Sequence, residues 1–301
     1  MMFECEPYQA KNVLYRFNKI DDFYNARYAL NPYRGCLVGC RYCYVQEKKH
    51  SDSTGLEEEK RHVVQVKINA PYLLKKKLEA DIEPAMIAIG DSCDPYSEVE
   101  DEYFITKRLL EVLKDYDFPI HIITRFDRVL RDIDLIRQID QNIFACVTVS
   151  IPVVSKDLVS KLEGNSQAVK TRLKMIRCIR KKGVTAGVAI SPVIPYISDG
   201  HEVEHVLKKA AEVGADYILC RPLVIKDYQR DMFFTWLKEK YPRLVDSYER
   251  LYENREWPEK EYHDKFMENL KQKAESFNLK VGLPVDRGIF REYHQEILEI
   301  Q

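Results

Sequence analysis

The sequence predicts an α/β protein, a partial (β/α)6 barrel followed by a mainly helical C-terminal extension. Three observations predict it. Short apolar runs of strand length recur through the first two-thirds of the 301 residues. Between them lie segments whose apolar residues repeat at helical spacing. Each apolar run then ends in a polar or glycine-bearing cluster, which is where parallel α/β folds carry their chemistry.

The elements follow in order. Ala26 to Tyr33 reads as a strand that ends at Pro32 and opens directly into a loop bearing three cysteines. Val63-Val64-Gln65-Val66 is a short β-like run, and Pro71 to Ala80 is helical, with Leu73, Leu74 and Leu78 on one side. Met86 to Ile89 is a strand; Ile105, Leu109, Val112 and Leu113 then form a helix face. Ile120 to Ile123 is the next strand, followed by a short helix marked by Ile133, Leu135, Ile136 and Ile139. Cys146 to Val149 and Ala186 to Ile190 are strands, separated by a helix through Val169, Leu173, Ile176 and Ile179. Val203, Val206, Leu207, Ala210 and Val213 mark another helix, capped by Ser198 or Asp199, and Tyr217 to Cys220 is the last clear strand.

That makes six strands. Strand–helix alternation argues for a parallel sheet with right-handed crossovers. Apolar strands without polar alternation argue for burial on both faces. Six units are two short of a full barrel, so an open (β/α)6 partial barrel is expected over residues 26–225, with a doubly wound sheet as the alternative. Residues 1–25 form a mixed, polar N-terminal segment in which Lys11 to Ile20 reads as partly helical. Lys48 to Arg61 is the most charged stretch and reads as exposed loop. Residues 226–301 mix aromatics with charges, with a helix from Lys260 to Phe277 and a strand or turn at Lys280 to Pro284.

The composition is that of an ordinary globular chain, 45% apolar and 32% charged. A net charge of −1, from 47 basic and 48 acidic residues, excludes the global basic field of a dedicated nucleic-acid binder. Two basic runs, Lys75-Lys76-Lys77 and Arg177, Arg180, Lys181, Lys182, fit solvated helix faces. No apolar run approaches the roughly 18 residues that span a bilayer, so no membrane partner is expected. Met1 to Tyr8 lacks a signal pattern, and clustered cysteines without one read as metal ligands in a reducing, cytoplasmic setting.

Cys36, Cys40 and Cys43 are spaced C-x3-C-x2-C. Three thiolates so close can converge on one object. Iron–sulfur clusters usually take four such ligands, so three local ones leave one iron open. An open metal position is where chemistry happens. A structural zinc site is the alternative and would need a fourth ligand such as Cys5; three buried thiols on a loop is the bland one.

The stretch resembles the radical S-adenosylmethionine (radical SAM) superfamily, through the three cysteines and the aromatic Tyr42 before the third. The wider run Asn31-Pro32-Tyr33-Arg34-Gly35-Cys36, ending in Cys43-Tyr44, is similar to the spore photoproduct lyase-related branch, often called DNA repair photolyase-like. The resemblance runs from about residue 25 to residue 225. It implies a TIM-like partial barrel, a [4Fe–4S] cluster on Cys36, Cys40 and Cys43, and S-adenosylmethionine chelated to the open iron through its amino and carboxylate groups. It implies a reductant such as flavodoxin or ferredoxin. It also implies a 5′-deoxyadenosyl radical that abstracts hydrogen from substrate. Gly90, Asp91 and Ser92 fall where relatives contact the SAM amino group, although they depart from the usual two glycines and a glutamate. Arg125 matches a lysine that approaches the SAM carboxylate, and its fork suits a carboxylate better. Ser150 matches a serine at the same ligand. Cys93 matches a cysteine that returns hydrogen to the product radical, and Tyr44 a tyrosine of the same relay.

His201-Glu202-Val203-Glu204-His205 is a literal H-E-x-x-H. It opens a helix whose Val203, Val206 and Leu207 must face the sheet, so it reads as a solvated helix start. Cys5, Cys146, Cys178 and Cys220 read as small core or surface residues. Three functions follow: repair of a nucleic-acid lesion, radical modification of a peptide, protein or metabolite, or a non-enzymatic iron–sulfur or zinc module.

Overall fold

The computed structural model describes residues 4–43, 63–80 and 82–284. Tyr44 and the charged stretch from Lys48 to Arg61 lie outside the described residues. An eight-stranded sheet forms the centre, in the order β11-β10-β9-β8-β7-β6-β3-β2. Its six central members are the six expected strands: β3 (Ala26–Leu30), β6 (Ile87–Ile89), β7 (Ile120–Thr124), β8 (Ala145–Ser150), β9 (Thr185–Val193) and β10 (Tyr217–Pro222). Every neighbouring pair among these six is parallel. Their order in the sheet is their order in the chain, as a barrel requires and a doubly wound sheet does not.

The two faces of the sheet differ in chemistry. One face carries Ile87, Ile89, Ile120, Ile122, Val147, Val149, Val188, Ile190 and Ile218, all in the main core. Against it pack the helices, through residues their spacing foretold joined by Leu110 and Met175, which it did not; the short helices α2 and α5 were not expected. α1 (Ala70–Leu78) brings Leu74 and Leu78, α2 (Glu100–Tyr103) leads into α3 (Ile105–Leu113), which brings Leu109, Leu110 and Leu113, and α4 (Ile133–Asn142) brings Ile136 and Ile139. α5 (Lys156–Leu162) precedes α6 (Val169–Lys181) with Met175, Ile176 and Ile179, and α7 (His201–Glu212) follows with Val203, Val206, Leu207 and Ala210.

The other face lines the lumen in register layers. Ala29, Ala88, His121 and Cys146 form one. Thr148, Gly187 and Tyr217 form the next, with the Tyr217 ring lying where a Gly187 Cβ would stand. Ser150, Ala189 and Leu219 form the layer at the carboxyl end.

The N-terminal segment differs from its helical reading. Residues 14–21 are strand β2 (Leu14–Asp21), antiparallel to β3. β2 is an edge strand on which only Leu14 is buried, so its polar residues reflect exposure and not a helical face. The turn between them folds inward: Phe23 packs with Ala189, Tyr217 and Leu219, and Tyr24 and Ile123 pack against that cluster. A second sheet of β1 (Glu4–Tyr8), β5 (Val63–Lys67) and β4 (Tyr33–Arg34), in the order β1-β5-β4, lies where the chain enters the cysteine loop. The C-terminal part carries α8 (Asp227–Lys240), α9 (Val245–Tyr252) and α10 (Lys260–Ser276) before β11 (Lys280–Val281) closes the sheet parallel to β10.

Candidate active site

The cysteine loop follows β4 and turns with Gly35 (φ 96°) and Gly39 (φ 70°) in the left-handed region. Cys40 is buried; Cys36 and Cys43 are half-buried. The loop is buckled from outside by residues 162–165. Arg41 N–H donates to Leu162 O (2.9 Å), Asn165 N–H to Val38 O (2.7 Å) and Asn165 Nδ2 to Leu37 O (3.2 Å). Gly164 lies so close that a Cβ there would fall inside the Val38 carbonyl. From the other side Gln229, buried in α8, donates through Nε2 to Tyr42 O at 3.2 Å.

Tyr42 points its hydroxyl at Glu163 Oε1, 3.1 Å away. Glu163 is fully enclosed and held by Arg172, whose Nη2 and Nη1 donate to its two oxygens at 2.6 and 3.1 Å. Arg172 Nη1 also donates to Ser150 O at 2.8 Å, which ties the buckle to the end of β8.

Arg125, one residue past β7, reaches the same place. Its Nη1 donates to Cys40 Sγ at 2.8 Å and its Nη2 to Ser150 Oγ at 3.0 Å. Asp94 fixes its backbone by accepting from Arg125 N–H at 2.9 Å and from Thr124 Oγ1 at 2.6 Å. Arg125 and Ser150, expected from strand ends far apart in sequence, are thus brought together with the cysteine loop.

The turn after β6 is clamped from β3. The Asn31 amide donates through Nδ2 to Asp91 Oδ1, while its Oδ1 accepts from Ser92 N–H at 3.2 Å. Cys93 Sγ stands 3.7 Å from that same oxygen. Gly90 has φ 99° and packs against Ile123 O and the Pro95 ring, so only glycine suits the start of this turn. Lys67, buried on β5, donates to Asn31 O at 2.8 Å.

Burial dominates the electrostatics. It pushes the Cys36 thiol up to about 12, helped by the Asp94 carboxylate. It pushes Cys40 up to about 11, against the pull of Arg125. The Cys93 thiol is raised by burial, against a backbone hydrogen bond at Tyr33 and the Lys67 ammonium. Asp91 and Asp94 are both raised by burial, and both are pulled back by hydrogen bonds to their oxygens. Bare thiols in such a place stay protonated, and a cationic centre would be needed to hold them as thiolates.

The donor set fits an iron–sulfur cluster. Cys36 feels the charge of Cys40 and Cys43, and Cys40 that of Cys43. Among the described residues no three His, Cys, Asp or Glu side chains converge on a point suited to one metal ion. A cluster takes each thiolate on a separate iron and needs no such point. Cys5, the fourth ligand a zinc site would want, sits in β1 opposite Val64, with Glu102 as its charged neighbour.

The H-E-x-x-H run is a helix start, as its context predicts, but it is not solvated throughout. Glu202 is buried and accepts the backbone N–H groups of Val154 and Ser155; His201 is exposed. Both basic runs lie on solvated faces. Asn31, Lys67, Glu163, Gly164 and Arg172 escaped the sequence reading as site residues. Only Asn31 had a signal, its place in the run before the cysteines.

Comparison with known proteins agrees with this geometry. The family model described as the Radical SAM superfamily matches residues 30–210. An uncharacterised protein of Mycobacterium tuberculosis is 30% identical over 229 residues, covering 75% of this chain and 67% of its own. The Radical SAM Nalpha-GlyT isomerase of Pseudomonas phage M6 is 23% identical over 216 residues, 71% of this chain and 43% of that one. Spore photoproduct lyase, solved with bound AdoMet and dinucleoside spore photoproduct, superposes with a TM-score of 0.67 at 16% identity, over 87% of this chain and 78% of that chain. At that identity the likeness establishes the fold. The family match spans more than half of the chain and covers the cysteine loop and four of the six barrel strands in full. The chain is therefore a member of the radical SAM superfamily, an enzyme that works with S-adenosylmethionine and an iron–sulfur cluster.

Proposed function

We propose that Cys36, Cys40 and Cys43 hold a [4Fe–4S] cluster at the carboxyl mouth of the barrel and that the enzyme acts on a modified nucleobase, as a lesion lyase does. One observation carries the cofactor assignment: Arg125 reaches Cys40 Sγ and Ser150 Oγ at once, at 2.8 and 3.0 Å. A SAM carboxylate beside the cluster would meet the Arg125 fork there, with Ser150 as second donor. Gly90, Asp91 and Ser92, clamped by Asn31, would face the amino group. When bound, the two cofactors together supply a 5′-deoxyadenosyl radical that takes hydrogen from substrate.

The protein's own share is to bind, orient and exclude water. The turn after β2 packs Phe23 against Ala189, Tyr217 and Leu219, with Tyr24 beside them, and so fills that side of the lumen with apolar side chains. Cys93 is held protonated by burial, the state a hydrogen-atom donor needs. It is placed here as the group that would return hydrogen to a product radical, with Tyr44 as its relay partner. Support for the substrate class is the fold shared with spore photoproduct lyase and the run from Asn31 to Cys43. A one-electron reductant of the flavodoxin or ferredoxin class would feed the cluster.

The test starts from anaerobically reconstituted protein. Four irons and four sulfides per chain are expected for a [4Fe–4S] cluster, and replacement of Cys36, Cys40 and Cys43 by alanine should abolish both; full iron in that variant sinks the assignment. Dinucleoside thymine photolesions are then supplied with SAM and dithionite. Repair by the parent and uncoupled or adduct products from Cys93→Ala are expected. No turnover of any lesion, with turnover of a peptide instead, would move the enzyme to the peptide class.

A further inference from the structure

Beneath the cysteine loop runs a chain of four buried charges. Asp94 lies 4.0 Å from Arg125 Nε, Arg125 Nη1 lies 3.5 Å from Glu163, and Glu163 lies 2.6 Å from Arg172. Their side chains are 7%, 14%, 0% and 0% exposed in the order Asp94, Arg125, Glu163, Arg172, so solvent screens them little. Two cations and two anions cancel. Buried charges are tolerated in such balanced sets, and removing one member leaves the remainder uncompensated. Of the four, Arg125 is the one whose side chain bonds to a loop sulfur, through Nη1 to Cys40 Sγ.

We propose that Arg125 is a potential-tuning residue: its buried charge and its N–H···S bond to Cys40 raise the reduction potential of the cluster held by the cysteine loop. The proposal rests on the assignment of Cys36, Cys40 and Cys43 to that cluster. Reduction adds one electron to the cluster, and the ferredoxin- or flavodoxin-class donor loses one. The added negative charge spreads onto the sulfurs. A cation at hydrogen-bond distance from one of them stabilises the reduced form more than the oxidised form. Net charge, hydrogen bonds to sulfur and solvent exposure are the levers that set such potentials. Asp94 and Glu163 pull the other way, and Arg125 stands between them and the loop. Without it the set carries one uncompensated negative charge beside Cys40. This role is separate from any contact with SAM, because it acts through the cysteine sulfur and needs no ligand in the mouth.

The experiment is an EPR-monitored redox titration of the reconstituted protein with no SAM present, on the parent, Arg125→Lys, Arg125→Met and Asp94→Asn. Iron and sulfide are assayed first. A parent without a cluster overturns the assignment of the cysteines, and the tuning role falls with it. With the cluster in place, Arg125→Met should show a reduced-to-oxidised ratio at least tenfold lower at the parent midpoint. That equals a downward shift of about 59 mV or more for one electron. Arg125→Lys should keep more than half of the parent potential difference, since the charge remains. Asp94→Asn should shift upward. An Arg125→Met midpoint equal to the parent's, or an Arg125→Lys midpoint as low as that of Arg125→Met, overturns the tuning role while the cluster assignment stands. If Arg125→Met does not take up the cluster, Asp94→Asn decides: an upward shift supports the role, and an unmoved or lowered midpoint overturns it.

Discussion

Arg125 illustrates what one side chain can be read to do from sequence. It follows an apolar run at a strand's carboxyl end, and the family resemblance sets it against a lysine that approaches the SAM carboxylate. Replacing it by alanine removes a charged hydrogen-bond partner, typically a loss of roughly 1.5–3 kcal/mol, or about ten- to a hundredfold in affinity. Isothermal titration of SAM into reconstituted Arg125→Ala should show that weakening with the cluster retained; unchanged affinity would take Arg125 out of the SAM site. Glu163, Arg172 and Gly164 were not legible. Their importance comes from where residues 162–165 touch the cysteine loop, and nothing local in the sequence encodes a contact with Val38 more than a hundred residues away. Gly164→Ala forces a methyl group into the Val38 carbonyl. Overpacking of that kind costs typically 1–3 kcal/mol. The expected result is a lower urea midpoint and slower cluster incorporation, measured on one preparation; full stability with normal loading would show that the buckle yields freely.

At the scale of elements, periodicity located the six barrel strands and the helices between them because burial on both faces leaves an uninterrupted apolar run. It failed for β2, an edge strand of eight residues of which only Leu14 is buried. The turn after β2 also shapes the lumen. Tyr24 O accepts from His121 Nδ1 at 2.9 Å, which leaves Nε2 as the acceptor for Thr148 Oγ1 at 2.7 Å; Tyr217 then donates to Thr148 Oγ1 at 2.6 Å. His121 is fully buried, and burial holds its pKa down at about 4. Between pH 4 and the unfolded value near 6.5 the unfolded chain therefore binds the extra proton. Stability should rise with pH across that window, by on the order of 3 kcal/mol at most, and be lost as pH falls through it. Urea titrations at pH 4.5, 5.5 and 7 should show the slope in the parent and a shallower one in His121→Gln. Equal slopes would assign the acid sensitivity to other groups.

For the whole molecule, the sequence conveyed the barrel and the cysteine loop, because both rest on local patterns: strand runs, helix faces and C-x3-C-x2-C spacing. The assembly of the mouth was not legible. It depends on Asn31 from β3 reaching the turn after β6, on Asp94 anchoring Arg125, and on Gln229 of α8 touching Tyr42. These long-range polar bonds leave no periodic trace. They also bind the N-terminal hairpin, the barrel and the first C-terminal helix around one site, so variants in any of the three should affect cofactor loading.

The most direct measurement is 5′-deoxyadenosine production by the anaerobically reconstituted protein with SAM and dithionite. The parent should release 5′-deoxyadenosine, and the protein with Cys36, Cys40 and Cys43 replaced by alanine should release none. Equal 5′-deoxyadenosine from both proteins, or none from a parent shown to carry its cluster, would contradict the account.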